Sequence, residues 1–179
     1  GRRYPPREHP SSYMFNWENG RVLQDYQLIY ITRGEGFFES ESCKTKKITP
    51  GSMIIIFPQE WHRYKPSPDS GWNEYWIGFR GNIAVQMEKK QFFTRNNPVL
   101  ETGLHDRIVD KYQQICNTVE EEDPGFQQVA AGELTALIGL STALVGYSHY
   151  KNTEEQKVII ASKTLFAENA DSVISPVEA

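Results

Sequence analysis

Two residues of the segment WNEYWIGF, which runs from Trp72 to Phe79, combine chemistry suited to binding a sugar. Side chains alternate between the two faces of a strand, so Glu74 and Trp76 are predicted to share one face. A carboxylate accepts hydrogen bonds from hydroxyl groups, and an indole offers a flat apolar surface to C–H groups. The pair predicts a pocket wall; plain core positions are the alternative for both residues.

The opposite face of the same segment is more apolar, and it is predicted to pack against helices or a second sheet. Its side chains are those of Asn73, Tyr75, Ile77 and Phe79. A buried carboxylate without a partner is costly, so an inward-facing Glu74 requires a ligand, a water molecule or an arginine.

The segment WHRYKP adds two further candidates, His62 and Tyr64. His62 is interpreted either as a hydrogen-bonding group at the mouth of a pocket or as a structural histidine, and Tyr64 either as a pocket or as a core residue. The chain has four histidines, and only His62 falls in the β-rich part. A three-histidine metal site cannot be assembled there, so neither a metal nor another cofactor is predicted.

The elements that must position these residues are strands. From Asp25 to Phe79 the chain is rich in aromatic and β-branched residues, is interrupted by turn signals such as Pro50-Gly51, and shows no helical period. In DYQLIYIT, Ile29 shares a face with Ile31, and Tyr30 lies on the other face. Many short strands joined by tight turns predict an antiparallel sandwich or barrel.

After Gly81 the pattern changes to helices. A short helix is predicted over 83–93, an amphipathic one through Leu104–Val119, and a long one over Phe126–Val145, the last two as antiparallel neighbours. The long helix carries a stripe that is interpreted as a dimer seam or, equally, as core packing. Its members are Leu134, Leu137, Ser141 and Leu144.

Composition narrows the possible partners. The net charge is −4, and the lysines Lys44, Lys46 and Lys47 suggest a solvated hairpin tip, so DNA binding by this chain alone is not expected. Two distant cysteines suit a reducing cytoplasm. No run of about 18 apolar residues is recognised, and no membrane span is predicted.

Three segments in order resemble the AraC family of bacterial transcription regulators: DYQLIYITRGEGFFE, ITPGSMIIIFPQEWHRY and GWNEYWIGFRG. The tail VIIASKTLFAENADSVISPVEA is similar to the start of that family's helix-turn-helix domain. The resemblance implies an α+β fold: a cupin-like antiparallel β-barrel (a double-stranded β-helix or jelly roll), followed by an antiparallel helical pair that joins two subunits.

On this basis four regions are expected. They are an N-terminal arm over 1–24, an effector-binding barrel over 25–82, a helical dimerisation region over 83–147, and a linker with the first helix of a truncated DNA-binding domain over 148–179.

The resemblance also implies site residues. A sugar-responsive relative uses pocket residues that correspond by position to Glu74, Trp76 and Tyr64, although it has a histidine in place of Glu74. Arg21 lies near a sugar-contacting arginine of that relative, whose N-terminal arm closes over the ligand. Trp17 on the arm is therefore a candidate contact, with a strand packed on the barrel edge as the alternative. His62 and Tyr30 complete the predicted ligand-binding set.

The predicted function is a ligand-sensing and dimerising domain of a cytoplasmic transcription regulator, and not an enzyme. Its expected partners are a small-molecule effector, most simply a carbohydrate, a second copy of the chain, and DNA through a further domain. A metal-free cupin enzyme, with Glu74 and His62 or Tyr64 as an acid–base pair, is the first alternative. A purely structural dimerisation module with a collapsed barrel is the second.

Overall fold

The computed structural model describes residues 2–4, 17–151 and 162. Within these residues the chain forms nine strands and three helices. The strands are β1 Arg2–Tyr4, β2 Arg21–Val22, β3 Tyr26–Gly34, β4 Gly36–Ser40, β5 Cys43–Ile48, β6 Ser52–Ile56, β7 Trp61–Pro66, β8 Trp72–Phe79 and β9 Val99–Glu101. The helices are α1 Asn82–Lys89, α2 Asp106–Glu121 and α3 Phe126–Lys151.

The strands form two antiparallel sheets that pack face to face. The five-stranded sheet has the order β1-β8-β3-β6-β9, and the four-stranded sheet has the order β2-β7-β4-β5. Strands of both sheets contribute to one apolar cluster between them. No strand pairing joins the two sheets among the described residues, so the predicted closed barrel is corrected to a sandwich of two sheets. With its helices the fold is α+β and consistent with a cupin-like architecture.

Tight corners carry the chain from one sheet to the other. Between β3 and β4 the corner needs glycine, because Gly34 has a φ of +76° and a Cβ there would lie 2.0 Å from the carbonyl oxygen of Gly71. At Gly36 a Cβ would lie 2.2 Å from the carbonyl oxygen of Lys65 and 2.6 Å from the indole of Trp72. The RGEG turn thus brings two strands and a tryptophan into close contact.

The space between the sheets has an apolar side and a polar side. Isoleucines of β3, β5 and β6 fill the apolar side, and β6 is buried along its whole length, as expected for a strand covered on both faces. The polar side is formed by β2, β7 and β8, where Arg21, His62 and Glu74 lie. The chemistry recognised in the sequence is therefore concentrated on one side of the sandwich.

The other face of the five-stranded sheet is covered by the helices. In α2, Ile108, Tyr112 and Ile115 follow the three- and four-residue spacing of a buried helical face. The helix ends before Glu122, which has a left-handed backbone conformation, and Asp123-Pro124-Gly125 leads into α3.

Strand β9 is not predicted from the sequence, and β1 and β2 lie in the region 1–24 that was predicted as an arm. Val99–Glu101 forms β9 on the edge of the five-stranded sheet and pairs with β6. It has only three residues, too few for an alternating pattern to be recognised. The tail that is similar to the start of a helix-turn-helix domain lies outside the described residues, apart from residue 162.

Helix α3 is more apolar than the sequence analysis expected. The window Phe126–Gly146 is long and apolar enough to cross a membrane by length and composition, and 17% of it is buried. These two criteria do not distinguish a membrane span from a core or interface helix. In this fold α3 packs on α2 and β9.

Candidate functional site

Strand β8 brings Glu74 and Trp76 to the face that lies between the sheets. Their antiparallel partners on β3 are Ile31 and Ile29, which belong to the cluster between the sheets. Glu74 is 5% exposed and Trp76 is 44% exposed. The carboxylate is thus enclosed, while the indole presents open surface beside it.

The opposite face of β8 packs on the helix side. Tyr75, Ile77 and Phe79 all pack against the apolar cluster that includes α2 and α3. The sequence predicted that this face packs against either helices or a second sheet, and in the structure it packs against helices.

Strand β7 places His62 and Tyr64 on the inward face of the four-stranded sheet. Their rings stack, with centroids 6.3 Å apart and planes 9° apart. The ring of Tyr64 stacks in turn on Trp72 of β8, with centroids 6.1 Å apart. Three rings therefore form a continuous wall that crosses from one sheet to the other.

Arg21 of β2 is joined to this wall through its guanidinium. Its Nη2 donates to the hydroxyl of Tyr64 at 2.8 Å, and its Nε donates to Nε2 of His62 at 3.4 Å. The guanidinium carbon also lies 5.5 Å from the centre of the Tyr64 ring. Spacing along the sequence could not decide whether Arg21 reaches this region, and the structure places it there.

The second nitrogen of His62 is also engaged. Nδ1 lies 3.1 Å from the carbonyl oxygen of Glu60, so it carries the proton and donates, while Nε2 accepts from Arg21. Burial lowers the pKa of His62 below 6.5, and the charge of Arg21 lowers it further. The imidazole is a neutral group with a defined tautomer.

Trp72 belongs to this site, although no feature of the sequence singled it out. It is 2% exposed, and its indole N–H donates to Oε2 of Glu74 at 3.0 Å. The available signal was its position two residues before Glu74 on the same strand face. The spacing alone does not identify Trp72 as a site residue, because Tyr64 and the glycine corner lie beside it only in the folded chain.

Trp17 is not brought to the site. Its ring lies on the outer surface of β7, 4.6 Å from the guanidinium carbon of Arg63 and 4.6 Å from Nζ of Lys65. Arg63 and Lys65 alternate with His62 and Tyr64 along β7, so they lie on the opposite face of the strand. The predicted contact of Trp17 with a ligand between the sheets does not agree with this position.

Tyr30 lies on the helix side of the five-stranded sheet, away from the space between the sheets. Its ring stacks on Tyr112 of α2, and its hydroxyl donates to the carbonyl of Gly103 and accepts the backbone N–H of His105. It ties the sheet to the start of α2 and does not face Trp76.

The predicted dimer-seam residues lie largely inside the protomer. Leu137 and Ser141 are fully buried, and the Ser141 hydroxyl donates to the carbonyl of Leu137. Leu134 and Leu144 are partly buried and pack on the cluster between sheet and helices. The stripe packs largely inside the protomer, which is the core alternative considered from the sequence, while the opposite face of α3 is more exposed.

Strands β1 and β2 both lie on the polar side of the sandwich. Strand β1 is the edge strand next to β8, with Arg2 opposite Glu74 in the register, and β2 is the edge strand next to β7, with Arg21 opposite His62. Both strands are therefore edge strands beside the site, one in each sheet.

No group of three or more His, Cys, Asp or Glu side chains is arranged to hold a metal ion within the part of the chain that the structure describes. The site instead offers a carboxylate, hydrogen-bond donors and aromatic faces. These groups suit recognition of a ligand that carries hydroxyl groups and apolar C–H surface.

Comparison with known proteins agrees with this arrangement. The family model of the AraC-like ligand binding domain matches residues 8–138. The lactose operon transcription activator of Staphylococcus xylosus is 29% identical over 98 residues, which make up 55% of this chain and 34% of that protein. The chain thus spans about a third of that relative's length. The first match is a ligand-binding domain, and the second is a transcription activator.

Proposed function

The chain belongs to the AraC-like ligand-binding domain family, and on this premise we propose that it senses a carbohydrate for a transcription regulator and is not itself an enzyme. The ligand is held between the two sheets, on the side formed by β2, β7 and β8. DNA is bound by a further domain of the whole regulator, in the cytoplasm.

The pairing of an enclosed carboxylate with an exposed indole carries this proposal. Glu74 is buried, and Trp76 next to it on the same face is 44% exposed. A large aromatic side chain with that much open surface beside a buried acceptor is what a sugar ring requires, because its C–H face stacks while its hydroxyls donate.

The wall of stacked rings supports the same ligand class. Tyr64 and Trp72 add aromatic surface, and Arg21 adds a positive charge held against Tyr64. Because the residues come from both sheets, a ligand bound there bridges the two sheets. The attachment of β1 and β2 beside the site supports a role for the N-terminal arm in covering the ligand.

Calorimetric titration with two epimeric pairs, lactose with cellobiose and galactose with glucose, tests the proposal; the activator named above motivates including lactose. At least one sugar is expected to bind wild-type protein, and Trp76→Ala is expected to weaken it about tenfold or more. The matched control is Trp61→Phe, a change on the outer face of β7. Absence of binding by all four sugars and by arabinose and maltose would overturn the carbohydrate assignment.

We further propose that two copies pair through the face of α3 opposite its buried side. With 100° per residue, five small residues fall on that face, here named the small-residue stripe. They are Gly132, Ala136, Gly139, Ala143 and Gly146. Glycine inside a helix costs roughly 1 kcal/mol relative to alanine. A Cβ added at any of the three glycines meets no atom within 4 Å, so packing inside the protomer does not explain them.

The low burial of this apolar helix points in the same direction. Only 17% of this apolar window is fully buried in the protomer, and a closed two-fold contact is the common way for a soluble protein to cover an exposed apolar surface. Ligand binding between the sheets then biases how two DNA-binding domains are presented, as a shift between populated states.

Sedimentation equilibrium tests this pairing. Ala136→Glu and Ala143→Glu place charges in the small-residue stripe and are expected to convert a dimer into a monomer. Gln113→Glu, an equivalent change on the exposed face of α2, is expected to leave the dimer intact. A monomeric wild-type protein at micromolar concentration would refute the pairing.

A further inference from the structure

The glycine at position 78, two residues after Trp76, is not explained by the fold of β8. Its backbone lies outside the left-handed region, and the shift in register between β8 and β3 lies at the other end of their pairing, between Ile31 and Arg33. A Cβ added at Gly78 meets no atom of the described residues within 4 Å. Glycine weakens the interior of a strand and often marks a place where a ligand or another backbone approaches closely. Such an approach is therefore indicated above Gly78.

Exposure changes along the strand face that carries Gly78. On β8, Glu74 is buried, whereas Trp76 and Gly78 are exposed. The neighbouring face of β3 follows the same order, because Ile29 beside Trp76 is buried and Gln27 beside Gly78 is partly exposed. The space between the sheets is therefore closed at Glu74 and opens towards the pair Gln27 and Gly78, which lies at its mouth.

Gln27 brings a polar side chain to this mouth. It lies opposite Gly78 on one side and Ile56 on the other, so its side chain is on the face of β3 that lies between the sheets. Its amide offers both hydrogen-bond donors and an acceptor. Within residues 2–4, 17–151 and 162, no hydrogen bond joins this amide to another side chain or to the backbone. Because Gly78 has no side chain to cover it, the amide is accessible to a molecule bound at the mouth.

We propose that Gln27 and Gly78 form a second subsite, which binds the second ring of a disaccharide whose first ring stacks on Trp76. This inference rests on the proposed carbohydrate-binding function. Two residues of a strand advance about 6.6 Å, which is close to the length of one pyranose ring. A ring that follows the one on Trp76 therefore lies over Gly78, where the missing side chain gives it room and the amide of Gln27 bonds its hydroxyls. The effector class is then a disaccharide rather than a monosaccharide.

Calorimetric titration with disaccharides and their component sugars tests the second subsite. Lactose or cellobiose is expected to bind the wild-type protein at least tenfold more tightly than galactose or glucose. Gly78→Val fills the space over the strand and is expected to weaken the disaccharide about tenfold or more, while the monosaccharides change less than twofold. Gly78→Ala is expected to have an intermediate effect, because its side chain is smaller.

A second variant protects the test against poor folding. Gln27→Ala removes the amide without adding volume, and it is expected to weaken the disaccharide about fivefold and to leave the monosaccharides unchanged. Gln113→Ala, on the exposed side of α2, is the matched control and is expected to bind all four sugars as the wild type does. Thermal denaturation of each variant shows that the domain is folded; valine is well accommodated in strands, so Gly78→Val is expected to remain folded.

The outcomes separate the second subsite from the proposed function. If no sugar binds the wild-type protein, the carbohydrate function fails and the subsite fails with it. If sugars bind without a preference for disaccharides, or if Gly78→Val and Gln27→Ala both leave that preference unchanged, the subsite alone is refuted. Equal weakening of monosaccharides and disaccharides by Gly78→Val would also overturn it, because the space would then serve the first ring or a segment of the chain that covers it.

Discussion

The Nε–H of Arg21 donates to Nε2 of His62 across 3.4 Å, and this contact holds a permanent cation against an imidazole that burial keeps neutral. The bond requires an unprotonated Nε2. Strand β2 pairs with β7 through only two residues, and the Arg21 side chain adds bonds to His62 and Tyr64 to this pairing. The attachment is therefore sensitive to protonation of His62.

Acidification is expected to destabilise the protein through His62. Its pKa is lower in the folded chain than the ordinary value of 6.5, so near and below that value the unfolded chain takes up more protons. Stability is then fully present above pH 6.5 and is lost as the pH falls towards the lower folded pKa. Each unit by which the pKa is lowered corresponds to about 1.4 kcal/mol.

Urea denaturation of wild type and His62→Gln between pH 5 and 8 measures this effect. The glutamine keeps one donor and one acceptor, so it provides the baseline in which the other titrating groups still act. The free energy of unfolding of the wild type is expected to fall more steeply below pH 6.5 than that of the variant. Parallel curves would show that His62 does not titrate in this range.

Truncation of Trp76 is expected to separate binding from stability. Its side chain is 44% exposed, so Trp76→Ala removes less buried surface than a core truncation and is expected to cost about 1 kcal/mol or less of unfolding free energy. Sugar affinity is expected to fall about tenfold or more, because the stacking surface is lost. Thermal denaturation and calorimetric titration on the same sample give both values. A core role for Trp76 would reverse the pattern, with a large loss of stability and little change in affinity.

The alternation of WNEYWIGF predicted correctly which residues share a face, because the period of two is a rigid property of a strand. It could not tell which face meets helices. The ligand-binding set predicted from the sequence includes Tyr30. Its alternation with Ile29 and Ile31 nevertheless predicts that it lies on the opposite face of β3. Turn signals likewise located the corners, but whether the sheets close into a barrel depends on pairings between distant strands.

Residues whose role depends on a distant partner were beyond sequence reasoning. In the sequence Trp72 is recognisable only as part of a motif, because its importance comes from a carboxylate, a tyrosine and a glycine corner that meet only in three dimensions. The spacing of Leu134, Leu137, Ser141 and Leu144 predicts one face of α3, but the same spacing is typical of a core face and of a dimer seam. Only burial decides between them, and Leu137 and Ser141 are fully buried.

Substitution of the corner glycine is expected to disrupt the junction between the sheets. A Cβ at Gly36 meets the backbone oxygen of Lys65 at 2.2 Å, so strands must move apart, and Gly36→Ala is expected to cost about 2 kcal/mol or more. Gly78→Ala is the matched control, since a Cβ there has no neighbour within 4 Å. Urea denaturation that gives equal stabilities for the two variants would contradict the tight corner.

Truncation inside α3 is expected to behave as a core mutation. Leu137→Ala removes a fully buried side chain and is expected to lower the free energy of unfolding by about 2–5 kcal/mol. Gln113→Ala, on the exposed side of α2, is expected to stay within about 0.5 kcal/mol of wild type. Chemical denaturation of both variants measures the difference. A small effect of Leu137→Ala, together with loss of the dimer, would restore the seam role that the sequence analysis considered.

The two faces of strand β8 meet different neighbours. Even-numbered positions, Glu74 and Trp76, line the space between the sheets, and odd-numbered positions, Tyr75 and Ile77, lie under the helices. A substitution at an even-numbered position of β8 can therefore change the polar site without changing the packing of the odd-numbered positions under the helices. A lateral displacement of the whole strand, in contrast, cannot be confined to one side, so the backbone of β8 is a route by which an event among the polar groups reaches the helical layer.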